Sequence, residues 1–127
     1  MNDPLQALLV DETAIAREEL AQALRPYLQL GRDGGLWLLA PFDHLSGQAK
    51  VLCVLLAVKA QHLLGLRQGE AIQPQELVEL SSMPPGTVRP KLSQLAKDRL
   101  VSKSANGYTV PDGMARRAVA ELGEQGS

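Results

Sequence analysis

The pattern of apolar positions changes character several times along the chain. Leu5, Leu8 and Leu9 recur at helical spacing behind Asp3-Pro4, an N-cap followed by proline at the first helical position. A second helical phase runs from Thr13 through Ile15, Leu20, Ala21, Ala23 and Leu24, with Glu18 and Glu19 facing outward, until Pro26 makes continuation costly. The spacing leaves open whether these are one bent helix or two. The period then shortens to two. Leu28 and Leu30 flank Gln29, Gly31-Arg32-Asp33-Gly34-Gly35 supplies turn residues, and Leu36-Trp37-Leu38-Leu39 resumes before Pro41. This predicts a small β-hairpin, which is marginal alone in water and should pack on neighbouring helices.

Ser46 can cap a third helix over Gln48 to Leu64, and Gly65 can end it. Within it Val51 to Val58 is apolar without interruption, bracketed by Lys50 and Lys59. A helix apolar on every face must be buried all round. The N-terminal helices and a second copy of the chain are the candidate covers. The run also falls far short of the roughly 20 residues a membrane span needs. The short apolar step Ala71-Ile72 follows, then a helix from Pro74 through Leu77, Val78 and Leu80. After a break at Ser81-Ser82-Met83-Pro84-Pro85-Gly86, the next helix is expected from Thr87 to about Asp98, with Thr87 as N-cap and Pro90 at its third position, where no intrahelical N–H is lost. Leu100-Val101-Ser102-Lys103 and Tyr108-Thr109-Val110 then flank Ser104-Ala105-Asn106-Gly107, and Asn-Gly is a strong hairpin signal. Met114, Ala115, Ala118, Val119 and Leu122 form the apolar stripe of a last helix that begins after Pro111-Asp112 and stops at Gly123. Docking on the chain's own core and contact with another subunit are both open for that stripe.

The order helix, short strand, helix, turn, helix, hairpin over residues 45–110, with Leu92-x-x-Leu95 and then Leu100-Val101 before the hairpin, resembles the winged helix-turn-helix superfamily. The resemblance covers about half the chain and rests on architecture. It implies that the helix at 87–98 enters the major groove of duplex DNA and that the hairpin at 101–110, the wing, touches the backbone or minor groove. Two positions depart from the family pattern. Arg99 stands where glycine often adopts the left-handed conformation, at about 1 kcal/mol if it does the same. Gln73 stands where Ser, Thr or Asp would cap better. The expected fold is mainly α with small β-hairpins: a winged-helix core, an N-terminal helical and hairpin segment over 1–44 for packing or dimerisation, and a C-terminal helix and tail over 111–127.

At about 100° per residue, Val88, Leu92 and Leu95 share the inner face of the 87–98 helix. Pro90, Ser93, Gln94 and Lys97 face away, with Arg89 and Lys91 on the flanks. Arg and Gln suit guanine and adenine edges, while Lys and Ser suit phosphates. The resemblance therefore points to Thr87, Arg89, Lys91, Ser93, Gln94, Lys97, Lys103 and Asn106 as DNA-contacting residues. The competing reading of the same face is a solvated helix surface.

Composition changes the picture mainly through charge. The 127 residues carry 13 Lys+Arg against 14 Asp+Glu, a net −1 that by itself does not suggest nucleic acid. Division along the chain does. Residues 1–46 hold three arginines against seven carboxylates, −4, whereas residues 47–110 hold eight cations against four carboxylates, +4, and the tail holds −1. Five of those eight cations lie between Arg89 and Lys103. Such asymmetry fits a DNA-binding module joined to a non-binding part. A charge of +4 is modest for a monomer, so paired copies on paired half-sites, a homodimer, are expected. The four aromatic residues, Tyr27, Trp37, Phe42 and Tyr108, are too few for base-stacking platforms.

Catalytic signals are weak. His44 and His62 lack companion ligands at metal-binding spacing, and the single cysteine, Cys53, sits in the most apolar helix, where an inert thiol is expected. Gly31-Arg32-Asp33-Gly34-Gly35 lacks the following helix and Lys-Ser/Thr ending of a phosphate loop. Asp43-His44 has no identifiable nucleophile, since Ser46 serves as a cap. The expectation is a non-enzymatic protein without cofactor or metal, outside membranes and, from the lone cysteine and the absence of a secretory signal, cytoplasmic. A DNA-binding regulator is the first reading. A non-catalytic adaptor, contacting a protein partner through the acidic N-terminal segment and apolar stripes, is the second.

Overall fold

The computed structural model describes residues 3–8 and 12–125. A 3₁₀ turn (Pro4–Leu8) precedes α1 (Glu12–Leu24), the hairpin strands β1 (Leu28–Leu30) and β2 (Leu36–Leu38), and a 3₁₀ helix (Ala40–His44). Then come α2 (Gly47–Leu63), α3 (Pro74–Ser81), α4 (Pro85–Lys97), β3 (Ser102–Ser104), β4 (Gly107–Thr109), a 3₁₀ turn (Asp112–Met114) and α5 (Ala115–Gln125). The protein is mainly helical with two small antiparallel hairpins.

The uniform apolarity of α2 dictates the arrangement. Every residue from Val51 to Lys59 is buried, and α1, α3, α4 and α5 all pack on this one helix. The chain's own elements thus supply the cover that α2 requires. Residues from all three sequence segments share a single core: Leu20 and Leu24 of α1, Leu77 of α3, Val88, Leu92 and Leu95 of α4, and Ala115, Ala118 and Leu122 of α5. The apolar stripe of the last helix accordingly docks within the chain.

Both ends of α2 follow the sequence signals to within a residue. The Ser46 Oγ accepts from the Ala49 N–H at 3.2 Å. At the other end Gly65 takes φ +75°, its N–H donates to the His62 carbonyl, and the Leu66 N–H donates to the Gln61 carbonyl, a Schellman closure. The same closure ends α4, where the Arg99 N–H bonds the Ala96 carbonyl and the Leu100 N–H the Leu95 carbonyl. There the left-handed residue is Arg99, at φ 63°. Buried Leu100 supplies the apolar contact that accompanies the motif and offsets the conformational cost.

The first hairpin forms with Leu28 opposite Leu38 and Leu30 opposite Leu36. Its leucines turn toward the helices, while Trp37 on the opposite face is 55% exposed. The turn is tied down from outside by Gln61, buried on α2, whose Nε2 donates to the Gly34 carbonyl at 2.9 Å. At the N-terminus, the Asp3 carboxylate accepts from the Leu5 N–H at 2.9 Å, and the Leu5 to Leu8 segment is a 3₁₀ turn with both leucines exposed. Leu9, expected on the same stripe, lies outside the described residues, as do the side chains of Thr13 and Ile15.

Several boundaries differ from the sequence expectation. The fourth helix begins at Pro85 with Pro84 as N-cap, so Thr87 is not the cap: its backbone N–H already donates to the Pro84 carbonyl at 3.0 Å. Proline at the first helical position has φ pre-set and no needed N–H, which lets the helix start inside the apparent break. Pro90 then falls in the helix interior, where its missing N–H leaves the Gly86 carbonyl without its intrahelical donor. Exposure of Gly86 lets water take that role. The last helix does not stop at Gly123 but runs through it to Gln125, since the packing of Ala118 and Leu122 outweighs glycine's cost of about 1 kcal/mol.

In the second hairpin Ser104 pairs with Gly107, so the loop is Ala105-Asn106 and glycine is already in the strand. Gly107 has φ +121°, and a Cβ built there would lie 2.3 Å from the Ile72 carbonyl oxygen. Only glycine permits that approach, through which Ile72 bridges to Tyr108 by two backbone hydrogen bonds of 2.9 and 2.8 Å. Opposite outcomes are therefore expected at Gly107 and Arg99, both at positive φ, in urea denaturation. Gly107→Ala destabilises by about 2 kcal/mol or more, and Arg99→Gly stabilises by up to about 1 kcal/mol.

Candidate nucleic-acid interface

The α3-turn-α4 unit is positioned from below by apolar anchors. Val88, Leu92 and Leu95 are fully buried against α2, and Leu77 does the same for α3. Between the helices, Ser82 adopts the left-handed conformation at φ 61° and Met83 turns inward. The Ser81 Oγ accepts from the Met83 N–H at 3.2 Å, which fixes the turn. Gln73 is the N-cap residue of α3 and makes no side-chain capping bond; its Nε2 instead reaches the Ala105 carbonyl in the second hairpin at 3.5 Å.

With its inner face fixed, α4 presents Arg89, Ser93, Gln94 and Lys97 to solvent. Thr87 and Lys91 are half-buried and lie over the start of α2: a Cβ added to Gly47 would meet the Lys91 Cε at 3.2 Å and the Thr87 methyl at 3.9 Å. Gln94 donates to the Asp98 carboxylate at 3.2 Å, one turn along the helix. An acid thus stands at the C-terminal end of the exposed face and holds an amide that base contact would require to be free.

Lys103 and Asn106 sit apart from α4, on the second hairpin, and both are exposed. The Lys103 ammonium lies 5.8 Å from the centre of the Tyr108 ring, its cross-strand partner. Ser104 organises the loop, accepting from the Asn106 N–H and donating to the Gly107 carbonyl, each at 3.3 Å. All eight candidate residues therefore belong to α4 or the hairpin, and six of them are exposed.

The structure also corrects the tally of cations. Lys59 is 2% exposed and belongs to no surface. Its ammonium has three N–H groups, and they meet three acceptors: Glu70 at 3.1 Å, Asp112 at 2.5 Å and the Val110 carbonyl at 3.0 Å. An isolated buried ammonium would be untenable, so this set is what allows Lys59 to end the apolar run. No pattern in the sequence linked Lys59 to acids 11 and 53 positions away. Arg67 is likewise spoken for, by a two-pronged pair with Glu76 at 2.6 and 3.0 Å. Removing both pairs leaves the balance of residues 47–110 unchanged, since each cation leaves with an acid of the same segment. The cations that remain are Lys50, Arg89, Lys91, Lys97, Arg99 and Lys103, against Glu79 and Asp98.

Among the described residues no group of three His, Cys, Asp or Glu could hold a metal ion, and no helix is long and apolar enough to cross a membrane. Burial pushes the Cys53 thiol up to about 12, which disfavours the nucleophilic thiolate. Set beside known proteins, the chain matches no protein-family model, no curated protein and no solved structure.

The Arg67–Glu76 pair ties the loop after α2 to the first turn of α3 and carries a pH dependence. The hydrogen bond and charge of Arg67 hold the Glu76 carboxyl below its ordinary 4.5, with burial opposing. A carboxyl depressed on folding stabilises the protein fully above its unfolded value, and the contribution disappears as pH falls through the lower folded value. Both side chains are partly exposed, at 25% and 39%, so solvent screening limits the effect to about 1 kcal/mol or less. Urea titrations are expected to show Glu76→Gln reducing stability at pH 6, with the difference from wild type shrinking as pH drops below 4.5.

Proposed function

We propose that the chain is a duplex-DNA-binding protein of winged helix-turn-helix type, acting in transcriptional regulation. The carrying observation is the two-faced α4, anchored by Val88, Leu92 and Leu95 and exposing Arg89, Ser93, Gln94 and Lys97. Supporting it is the order of elements: α2, the Ile72 bridge strand, α3, α4 and the β3–β4 hairpin. In this reading α4 lies in the major groove, with Arg89 and Gln94 at base edges and Ser93, Lys97 and Thr87 toward phosphates. Lys91, over the start of α2, meets the flanking backbone. The hairpin acts as the wing, with Lys103 and Asn106 near its tip. Gln94 must exchange Asp98 for a base, which makes the Gln94 contact the conditional one.

A homodimer belongs to this proposal because a charge of +4 over residues 47–110 is a modest footprint for one copy, and two copies double it. Its support is that footprint alone, since α2 is covered within the chain. Light scattering at micromolar concentration is expected to give a dimer mass. The second reading, a protein-binding adaptor, draws on the acidic segment before residue 47 and on exposed Trp37, an amphipathic ring of the type enriched in protein interfaces.

Fluorescence anisotropy with a mixed-sequence duplex separates the two. Binding is expected at low salt and should weaken steeply as salt rises. Lys91→Glu/Lys97→Glu should lose it while keeping the wild-type circular dichroism, and Lys97→Ala should lower the salt slope by about 1. Absence of binding at low salt would overturn the DNA reading and leave the adaptor.

A further inference from the structure

A second concave site lies far along the chain from the α4 face and shares none of its residues. It is a pocket of about 340 Å³ between α1, β1 and the C-terminal end of α2, lined by Leu20, Leu24, Leu28, Leu30 and Leu63 among others. That volume lies at the small end of the range for small-molecule sites, about 300–1,000 Å³. The floor belongs to the core itself, since Leu20, Leu24 and Leu28 are 4, 4 and 5% exposed. Leu64, 59% exposed, stands at the rim.

The polar lining has one sign. Among the described residues, Arg17 and Arg25 both border the pocket and no acidic residue does, although residues 1–46 carry seven carboxylates and only three arginines. Arg17 donates through Nη2 to the Leu63 carbonyl at 2.8 Å, one of the carbonyls that the end of α2 leaves without an intrahelical donor. That bond fixes one guanidinium beside the pocket. Arg25, just past the end of α1, has no side-chain partner among the described residues. A greasy cleft with a free guanidinium at its edge is complementary to a molecule with an apolar body and a single anionic end.

We propose that this pocket binds a small amphipathic carboxylate of the medium-chain fatty acid class. The hydrocarbon lies along Leu20, Leu24, Leu28 and Leu63, and the carboxylate pairs with Arg25, with Arg17 adding positive potential. The site is independent of DNA binding: it stands or falls on this pocket alone.

Isothermal titration of the full chain with decanoate, held below its micelle concentration, tests the assignment, with decylamine as the probe of opposite charge. One decanoate per chain is expected, with decylamine binding at least about tenfold more weakly. Arg25→Gln should weaken decanoate by about tenfold, the loss of one charge-assisted contact. Ala21→Phe, which fills the mouth from an exposed position on α1, should abolish binding while leaving the thermal midpoint unchanged. Equal binding of decanoate and decylamine, an unaltered Arg25→Gln, or an unaltered Ala21→Phe would each overturn the proposal. So would a failure of decanoate to bind accompanied by a dimer that Ala21→Phe dissociates, because the cleft would then hold a second copy of the chain.

Discussion

The requirement that the middle of α2, Val51 to Val58, lose all contact with water governs the rest of the fold. Eight consecutive apolar residues leave that stretch no polar face to offer solvent, and each large side chain contributes about 1.5–3 kcal/mol only if it is covered. Four helices are therefore needed around it, and the chain supplies four. Their amphipathic stripes all point inward to the same axis, which is why segments so different in charge share one core. The exposed face of α4 and the leucine-lined pocket are both by-products of this arrangement: each is what a helix or hairpin shows on the side not used to cover α2.

The elements legible in the sequence are those whose signals are local. Ser46 and Gly65 bound α2 because a cap and a left-handed closure act within a few residues. Leu28-Gln29-Leu30 and its partner run gave the first hairpin, and the spacing of Val88, Leu92 and Leu95 gave the orientation of α4 and hence which of its side chains are exposed. Where two local rules compete, the chain follows the one that packing or a pre-set φ favours. Pro84-Pro85-Gly86 looks like an interruption, yet proline at a first helical position favours helix, and that preference moved the start of α4 forward and Pro90 into its interior. Gly123 looks like a stop, but the packing of Leu122 overrode it.

What stayed hidden depended on distance along the chain. Lys59 reads as the polar bracket of an apolar run, whereas its meaning lies in Glu70, Val110 and Asp112, brought together only by folding. Gly107 reads as a turn residue, whereas it is needed because the Ile72 carbonyl crowds the place of a side chain. The pocket beside Arg25 could not be seen at all, since its walls come from α1, β1 and α2 and its charge runs against that of its surroundings. Of the candidate DNA surface, the sequence indicated residues and faces but not that Asp98 engages Gln94.

The central helix has one more consequence. At 17 residues α2 is a rod on the order of 25 Å long, and it is gripped along its whole length. Lys91 and Thr87 rest on its first residue, while Leu63 and Ala60 near its last turn form part of the pocket wall. Close-packed interiors do not absorb a push by compressing. The two surfaces near its extremities are therefore held at a separation set by the length of one rod whose middle is buried on every side.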